Sequence, residues 1–160
     1  MNLDVLSADI GRRLRAAKAV LVSAESCTGG WVAQVVTATA GSSAWFDRGF
    51  VTYSNEAKQE LLGVSAETLA RHGAVSEETA CEMALGALAR GKGTVSLSVT
   101  GIAGPAGGSK EKPVGTVCFA WARAGRARSE TRRFAGDRES VRKQSVIRAL
   151  EGLAEFLDAG

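Results

Sequence analysis

Short apolar, β-branched runs alternate along this chain with segments whose apolar residues recur at helical spacing, and this order restricts the fold more than any other feature. Alternating helices and strands predict a sheet that includes parallel strands. The adjacent strands near the C-terminus predict a hairpin across Gly125. Together they indicate an α/β sandwich with a mixed sheet and helices on both faces. In chain order, the predicted elements are helix 3–19, strand 19–24, helix 31–40, strand 46–53, helix 55–62, helix 76–90, strand 94–100, strands 114–122 and 127–134, and helix 137–157.

The length and the rare residue types exclude several kinds of site. A chain of 160 residues is expected to form one domain, residues 1–160. His72 is the single histidine, which excludes zinc sites built on two or three histidines and leaves one possible Ser-His-Asp triad. The three cysteines are well separated and form no CxxC, so a disulfide scaffold is not expected. We therefore expect neither a metal nor any other cofactor.

The charge pattern is mildly basic, with a net charge of +3. Nine Arg or Lys residues stand against three acids between Arg123 and Arg148, without interleaved aromatic residues or a nucleic-acid-binding motif. These arginines form a solvated surface, or one or two of them hold an anionic ligand. No signal peptide or membrane-spanning stretch is found, so we expect a cytoplasmic protein that binds neither nucleic acid nor membranes.

The first segment whose residues could take part in catalysis is Glu25 to Gly30, the turn after the predicted first strand. A hydroxyl on a sharp strand-to-helix turn is exposed as a nucleophile beside free backbone N–H groups, which suits Ser26. Alternatively, Ser26 caps the following helix. Cys27 is a competing nucleophile, since a cysteine at a helix N-terminus can have a lowered pKa.

The second segment is Tyr53 to Lys58, at the end of a strand and the start of a helix. A serine nucleophile needs a base, and with one histidine in the chain a desolvated lysine is the natural replacement. Lys58 is the candidate base. The alternative is a solvated Lys58 on a helix surface beside a core Tyr53.

The third segment is Ser98 to Ser109, which contains four glycines within eight residues. Such a loop lets backbone amides approach a phosphate or carboxylate closely. It fits neither a P-loop nor a dinucleotide-binding GxGxxG, and a flexible surface turn is the alternative. His72 is expected at a helix cap or surface, and Cys81 and Cys118 in the core. Trp45 and Phe46 are either an exposed dimer contact or part of the core.

Together, the motifs AESCTGG, FVTYSNEAK, LGV, HGAVSE and SVTGIAGPAGGSKEKPVGTV resemble those of the CinA C-terminal domain family, from about residue 5 to 157. Within that family the chain is similar to stand-alone members that act on nicotinamide mononucleotide. The resemblance implies a three-layer α/β/α fold. It also implies hydrolysis of the carboxamide to nicotinate mononucleotide and ammonia.

The resemblance further implies a set of site residues. Ser26 would be the nucleophile and Lys58 its general base, with Tyr53 close by to orient or share the proton. Arg138 and Arg142, in the segment FAGDRESVR, are candidates for the 5′-phosphate. The remaining residues implied to bind substrate or shape the loop are Cys27, Thr28, Gly29, Thr100, Gly101, Gly104 and Gly107.

Two other functions stay open at this point. One is a nucleotide-binding regulatory module that retains the pocket without turnover, and the other is a Cys27-dependent hydrolase built on the same turn. The expected partner is a small-molecule substrate. We also expect a homo-oligomer, most simply a dimer.

Overall fold

The computed structural model describes all 160 residues, as five strands and six α-helices. Most elements match their predicted positions within about two residues, and the bounds are as follows. The strands are β1 Leu21–Glu25, β2 Phe46–Val51, β3 Val95–Gly101, β4 Thr116–Arg123 and β5 Arg126–Arg133. The helices are α1 Leu3–Ala16, α2 Trp31–Val36, α3 Asn55–Leu62, α4 Ala66–His72, α5 Glu77–Arg90 and α6 Arg138–Asp158. No helix has both the length and the apolar composition needed to span a bilayer.

The strands form one mixed sheet in the order β2-β1-β3-β4-β5. β1 pairs in parallel with both β2 and β3, and the hairpin of β4 and β5 extends the sheet antiparallel from β3. The predicted mixed sheet is therefore confirmed. Because β1, β2 and β3 run in the same direction, their carboxyl ends meet at one edge of the sheet.

The helices pack on both faces, which confirms the predicted three layers. On one face, α1, α2 and α6 bury a cluster of 23 residues against the sheet. Trp121 of β4 belongs to this cluster, and its Nε1–H donates to the carbonyl of Ala149 in α6 at 2.9 Å. This face supplies most of the apolar burial that stabilises the fold.

The other face is covered by α3 and α5 and is built from smaller residues. The polar side of β3 points here, and its hydroxyls are buried and hydrogen-bonded. Ser96 Oγ donates to the carbonyl of Ala84 at 2.7 Å, and Ser98 Oγ donates to that of Ala80 at 2.6 Å. The alternation seen in the sequence therefore separates an apolar buried face from a hydrogen-bonded buried face, rather than a core face from a solvated one.

Helix α2 is shorter than predicted, ending at Val36 instead of Ala40. The side chain of Thr37 explains the early end, because its Oγ1 donates to the carbonyl of Ala33 at 2.7 Å and that of Gln34 at 3.3 Å. A threonine hydroxyl that bonds to these carbonyls competes with continuation of the helix.

The structure decides the open alternative for Trp45 and corrects the predicted environment of Cys81. Trp45 is only 5% exposed and packs against Gly11 of α1, so it is part of the core and not an exposed dimer contact. Phe46 is half-buried against the same core. Cys118 is buried as predicted, whereas Cys81 is only partly buried, because it packs against the cluster around Ala80 from the edge of the buried face of α5. The oligomeric state stays a prediction without support from Trp45.

Candidate functional site

A cavity of about 230 Å³ lies at the carboxyl ends of the three parallel strands, where ligands bind in open α/β sheets. The turn after β1, the segment after β2 and the loop after β3 all contribute to it. Its lining residues are Ser26, Cys27, Tyr53, Asn55, Lys58, Ala74, Val75, Thr100, Gly101, Ala103 and Arg138. Seven of the predicted site residues are therefore brought together in one place.

Ser26 is the first residue after β1 and is fixed by its backbone. Its N–H donates to the carbonyl of Val99 in β3 at 3.0 Å, which continues the pairing of the parallel strands by one residue. Its Oγ lies 3.0 Å from Nζ of Lys58. The serine hydroxyl is thus in hydrogen-bond contact with an amine, and both residues line the cavity.

Lys58 lies on the inner side of α3 and is only 1% exposed. Ser54 begins the helix, since its Oγ accepts a hydrogen bond from the N–H of Ala57 at 3.0 Å. Nζ of Lys58 also donates to the carbonyl of Thr52 at 2.9 Å, and no carboxylate contacts it. Burial lowers the pKa of Lys58, because the charged form loses its hydration. The alternative of a solvated surface lysine is wrong.

Glu25, the last residue of β1, has a role that the sequence analysis missed. Its side chain is fully buried and accepts four hydrogen bonds. Three come from backbone N–H groups at the start of α2, and the fourth comes from Thr28 Oγ1 at 2.6 Å. Glu25 therefore caps α2, whereas Ser26 does not, so the capping alternative for Ser26 is wrong. The signal available in the sequence was a carboxylate directly before the hydroxyl-bearing turn.

Cys27 lines the cavity, but its environment disfavours the thiolate. Burial raises the pKa of Cys27 to about 12, and the nearby charge of Glu25 adds to this effect. The expectation that the helix N-terminus lowers this pKa is wrong, because Glu25 already occupies the N-terminal amides of α2. This observation disfavours Cys27 as the nucleophile.

Tyr53 and Arg138 form a pair at the rim of the cavity. The Tyr53 side chain is exposed, and its hydroxyl accepts a hydrogen bond from Nη2 of Arg138 at 3.0 Å. Nη1 of Arg138 donates to the carbonyl of Gly104 at 2.8 Å. No hydrogen bond joins Tyr53 to Ser26 or Lys58, so the structure links Tyr53 to the arginine instead of to the proposed base.

Arg142, one turn further along α6, is turned toward the backbone of the Ser26 turn. Its Nε donates to the carbonyl of Cys27 at 3.1 Å, and its Nη2 donates to that of Thr28 at 3.2 Å. Its guanidinium also lies over the ring of Trp31, 5.6 Å from the centroid. Arg142 does not line the cavity and differs in this respect from Arg138.

The glycine-rich loop after β3 closes one side of the cavity. Thr100 and Gly101 line it, and Thr100 Oγ1 donates to the carbonyl of Ala74 at 2.8 Å. Gly104 does not line the cavity, but it has a φ of +84° and presents its carbonyl to Arg138. Gly107 is exposed and lies outside the cavity. Thr28 and Gly29 are not lining residues, and the Thr28 side chain is directed to Glu25 in the turn that Glu25 and Arg142 hold.

Four lining residues were not among the predicted site residues: Asn55, Ala74, Val75 and Ala103. Ala74 and Val75 belong to the HGAVSE segment, which was a signal for their position. His72 itself ends α4 and faces Glu78 at 3.6 Å, outside the cavity, as expected for a surface histidine. No group of three or more His, Cys, Asp or Glu side chains is arranged so that it could hold a metal ion.

Comparison with known proteins places the chain among close relatives. Residues 3–157 match the CinA C-terminal domain. The nicotinamide-nucleotide amidohydrolase PncC of Escherichia coli (strain K12) is 59% identical over 154 residues, 95% of this chain and 93% of that protein. The protein of the same name from Pseudomonas putida is 48% identical over 154 residues, 96% of each. A CinA superfamily protein from Klebsiella pneumoniae, known from its crystal structure, superposes with a TM-score of 0.96 at 42% identity over 100% of both chains.

Proposed function

The chain belongs to the CinA C-terminal domain family, and on this basis we propose that it hydrolyses the carboxamide of nicotinamide mononucleotide to nicotinate mononucleotide and ammonia. The names of its close relatives support this substrate. The contact between Ser26 Oγ and the buried Nζ of Lys58, at 3.0 Å, is the observation that carries the mechanism. It is the pairing of nucleophile and base that amide hydrolysis by a serine requires.

In the acylation step, Ser26 Oγ attacks the carboxamide carbon. Lys58 in its neutral form accepts the hydroxyl proton, and it then donates a proton to the departing ammonia. A neutral amine has two N–H groups and one lone pair. The carbonyl of Thr52 accepts one N–H, and this leaves the lone pair for the hydroxyl of Ser26. Burial favours the neutral form that this step needs.

The oxyanion of the tetrahedral intermediate needs hydrogen-bond donors. The backbone N–H groups of Cys27 and Thr28 have no hydrogen-bond partner within the protein, unlike their neighbours in the turn. Each such donor contributes roughly 3 kcal/mol to the transition state in well-studied hydrolases. We assign the oxyanion to these two amides and not to the start of α2, whose amides are bound to Glu25.

In the deacylation step, water attacks the nicotinoyl ester on Ser26. Lys58 takes a proton from that water and returns one to Ser26 Oγ as the ester bond breaks. Nicotinate mononucleotide leaves, and the resting enzyme is restored. None of these steps involves a metal or an organic cofactor.

The 5′-phosphate is assigned to Arg138 in preference to Arg142. Arg138 lies at the rim of the cavity on the exposed first turn of α6, beside Tyr53. Arg142 does not line the cavity, and its guanidinium is directed to the carbonyls of Cys27 and Thr28. Thr100 and Gly101 would line the part of the cavity that receives the pyridine ring and ribose.

Ammonia release from nicotinamide mononucleotide tests the proposal directly. We expect turnover by the wild type, loss of at least three orders of magnitude of rate in Ser26→Ala, and near-normal turnover in Cys27→Ala. Cys27→Ala is the matched control, because it alters the next residue of the same turn.

Each contrary result identifies an alternative. Binding of the mononucleotide without any ammonia release would indicate a silent binding module. Activity retained in Ser26→Ala but lost in Cys27→Ala would indicate a cysteine hydrolase.

A further inference from the structure

The carboxylate of Glu25 is buried, and its four contacts all lie within residues 28–33. Its Oε1 accepts from Thr28 Oγ1 at 2.6 Å, from the N–H of Gly30 at 3.2 Å and from the N–H of Val32 at 2.9 Å. Its Oε2 accepts from the N–H of Ala33 at 3.1 Å. No arginine or lysine contacts it. A buried carboxylate is therefore balanced by neutral donors alone, an arrangement that fixes the positions of all four donors.

This arrangement determines which amides of the turn remain free. Gly29 N–H donates to the carbonyl of Ser26, Trp31 N–H donates to that of Thr28, and the amides of Gly30, Val32 and Ala33 donate to Glu25. Only Cys27 and Thr28 keep unused N–H groups in this segment. The turn thus has two free donors, and both directly follow Ser26.

We propose that Glu25 is a positioning residue for this reaction: by binding the turn from its buried side, it holds the free amides of Cys27 and Thr28 where the oxyanion forms. The proposal rests on the proposed function. Glu25 does not touch the substrate. It acts through Thr28, whose side chain it binds and whose backbone N–H is one of the two donors.

The backbone of Glu25 links the nucleophile to the base. Its carbonyl accepts the N–H of Thr52 at 2.8 Å, and the carbonyl of Thr52 accepts Nζ of Lys58 at 2.9 Å. Ser26 follows Glu25 directly in the chain. A displacement of Glu25 would therefore alter both the oxyanion donors and the distance between Ser26 and Lys58.

Glu25→Gln is the first test, because it preserves size and removes one acceptor. With the amide oxygen at the Oε1 position, the NH₂ group would face the N–H of Ala33, and two donors cannot bond to each other. We expect kcat for the mononucleotide to fall at least 10-fold, since a displacement of about 1 Å in a reacting group costs up to roughly 10²-fold. KM should change less than about 2-fold, because the oxyanion forms only in the transition state.

Glu82→Gln is the matched control. Glu82 also binds the start of a helix, since it accepts from the N–H of Ser65 at 2.8 Å and from Thr68 Oγ1. It lies outside the cavity, so its replacement should leave kcat unchanged. An equal fall of kcat in both variants would indicate a general loss of structure and overturn the positioning role. So would an unchanged kcat in Glu25→Gln.

Thr28 provides a second, milder test that does not depend on the folding of Glu25→Gln. Thr28→Val removes the hydroxyl bonded to Glu25 and nearly preserves the shape, whereas Thr28→Ser keeps the hydroxyl. We expect kcat to fall in Thr28→Val and to recover in Thr28→Ser, again without a matching rise in KM. Equal kcat values for Thr28→Val and the wild type would overturn the proposal.

A fluorophosphonate probe separates this inference from the choice of substrate. Ser26 Oγ would attack the phosphorus, fluoride would leave, Lys58 would take the proton, and the phosphoryl oxygen would occupy the oxyanion position. We expect slower labelling in Glu25→Gln than in Glu82→Gln. If the wild type released no ammonia from the mononucleotide, the proposed function would fail, but the labelling rates would still test the role of Glu25. Equal labelling rates in Glu25→Gln and Glu82→Gln would overturn that role.

Discussion

Lys58 combines two properties that oppose each other, since it is almost fully buried and the proposed mechanism requires it to exchange a proton. Its Nζ is held by Ser26 Oγ and the carbonyl of Thr52, and no carboxylate stabilises its charged form. Burial therefore lowers its pKa. A lysine in this environment is a neutral base at a lower pH than a lysine in water. Below its lowered pKa the folded protein must carry a buried charge, and this reduces the free energy of unfolding.

The pH dependence of activity and the pH dependence of stability should both reflect the lowered pKa of Lys58. We expect kcat to rise with pH along a limb whose midpoint lies below 10.5, the ordinary pKa of a lysine. In the window between the lowered pKa and 10.5, the unfolded chain binds more protons than the folded protein, so the lysine makes stability rise with pH. Urea unfolding across that window measures the slope.

Lys58→Met provides the comparison. We expect turnover to be lost and the stability difference, wild type minus variant, to increase as pH rises through the window. Lys143→Met, at an exposed position on α6, should keep both the activity and the wild-type slope. A normal rate in Lys58→Met would exclude this residue as the base.

Substitutions of Arg138 and Arg142 should affect different kinetic constants, although the two residues lie one helical turn apart. Arg138→Met should raise KM for the mononucleotide about 10-fold, the loss expected for one charge-assisted hydrogen bond. It should leave the kinetics of nicotinamide riboside, which has no phosphate, nearly unchanged. Arg142→Met should lower kcat instead, because its contacts are with the carbonyls of Cys27 and Thr28. Steady-state kinetics with both substrates tests the assignment, and equal effects of Arg138→Met on both substrates would contradict it.

At the scale of the elements, local patterns were sufficient for helices whose capping serine lies directly before the first turn. Ser65 and Ser76 each precede acidic residues in the sequence, a pattern typical of N-caps, and each accepts hydrogen bonds from the first turn of its helix. The early end of α2 at Val36 was missed, because apolar periodicity does not report the competition from the hydroxyl of Thr37. The cap of α2 was missed because its carboxylate, Glu25, lies in the preceding strand, five residues before Gly30.

Helices α3 and α5 approach each other closely at Gly86 of α5. A Cβ atom at Gly86 of α5 would lie 1.9 Å from the carbonyl oxygen of Leu62, the last residue of α3. We expect Gly86→Ala to destabilise the protein by roughly 1–3 kcal/mol, because backbone must move to relieve the overlap. Since α3 also contains Lys58, we expect kcat to fall as well.

Leu85→Ala is the control for this substitution. Leu85 is the adjacent residue of α5, and its side chain is half-exposed. Its replacement should change the free energy of unfolding by only about 0.5 kcal/mol and should not affect kcat. Denaturant unfolding and ammonia release measure both quantities. A fully stable and active Gly86→Ala would contradict the packing described here.

At the scale of the whole molecule, the site combines segments that are far apart in sequence. Its contents could be predicted as three motifs, because each motif carries its own chemistry, but their mutual contacts could not. Tyr53 illustrates the difference, since its neighbour in sequence is the Lys58 helix whereas its hydrogen-bond partner is Arg138, 85 residues away. Arg142 is a second example, since nothing local indicates that it binds the backbone at Cys27. These contacts depend on how α6 packs on the sheet.

The two faces of the sheet attach their helices in different ways, and this difference bears on the site. The face covered by α1, α2 and α6 relies mainly on apolar contacts, which are non-directional and tolerate small translations of a helix along a strand, although Trp121 also donates to a carbonyl of α6. The hydroxyls of Ser96 and Ser98 instead bond to individual carbonyls of α5, so any translation of α5 along β3 would break both bonds. α5 in turn supports α3 at Leu62, and α3 contains Lys58. Two serines that never meet the substrate therefore set the axial position of the helix pair and, through it, the distance between amine and hydroxyl.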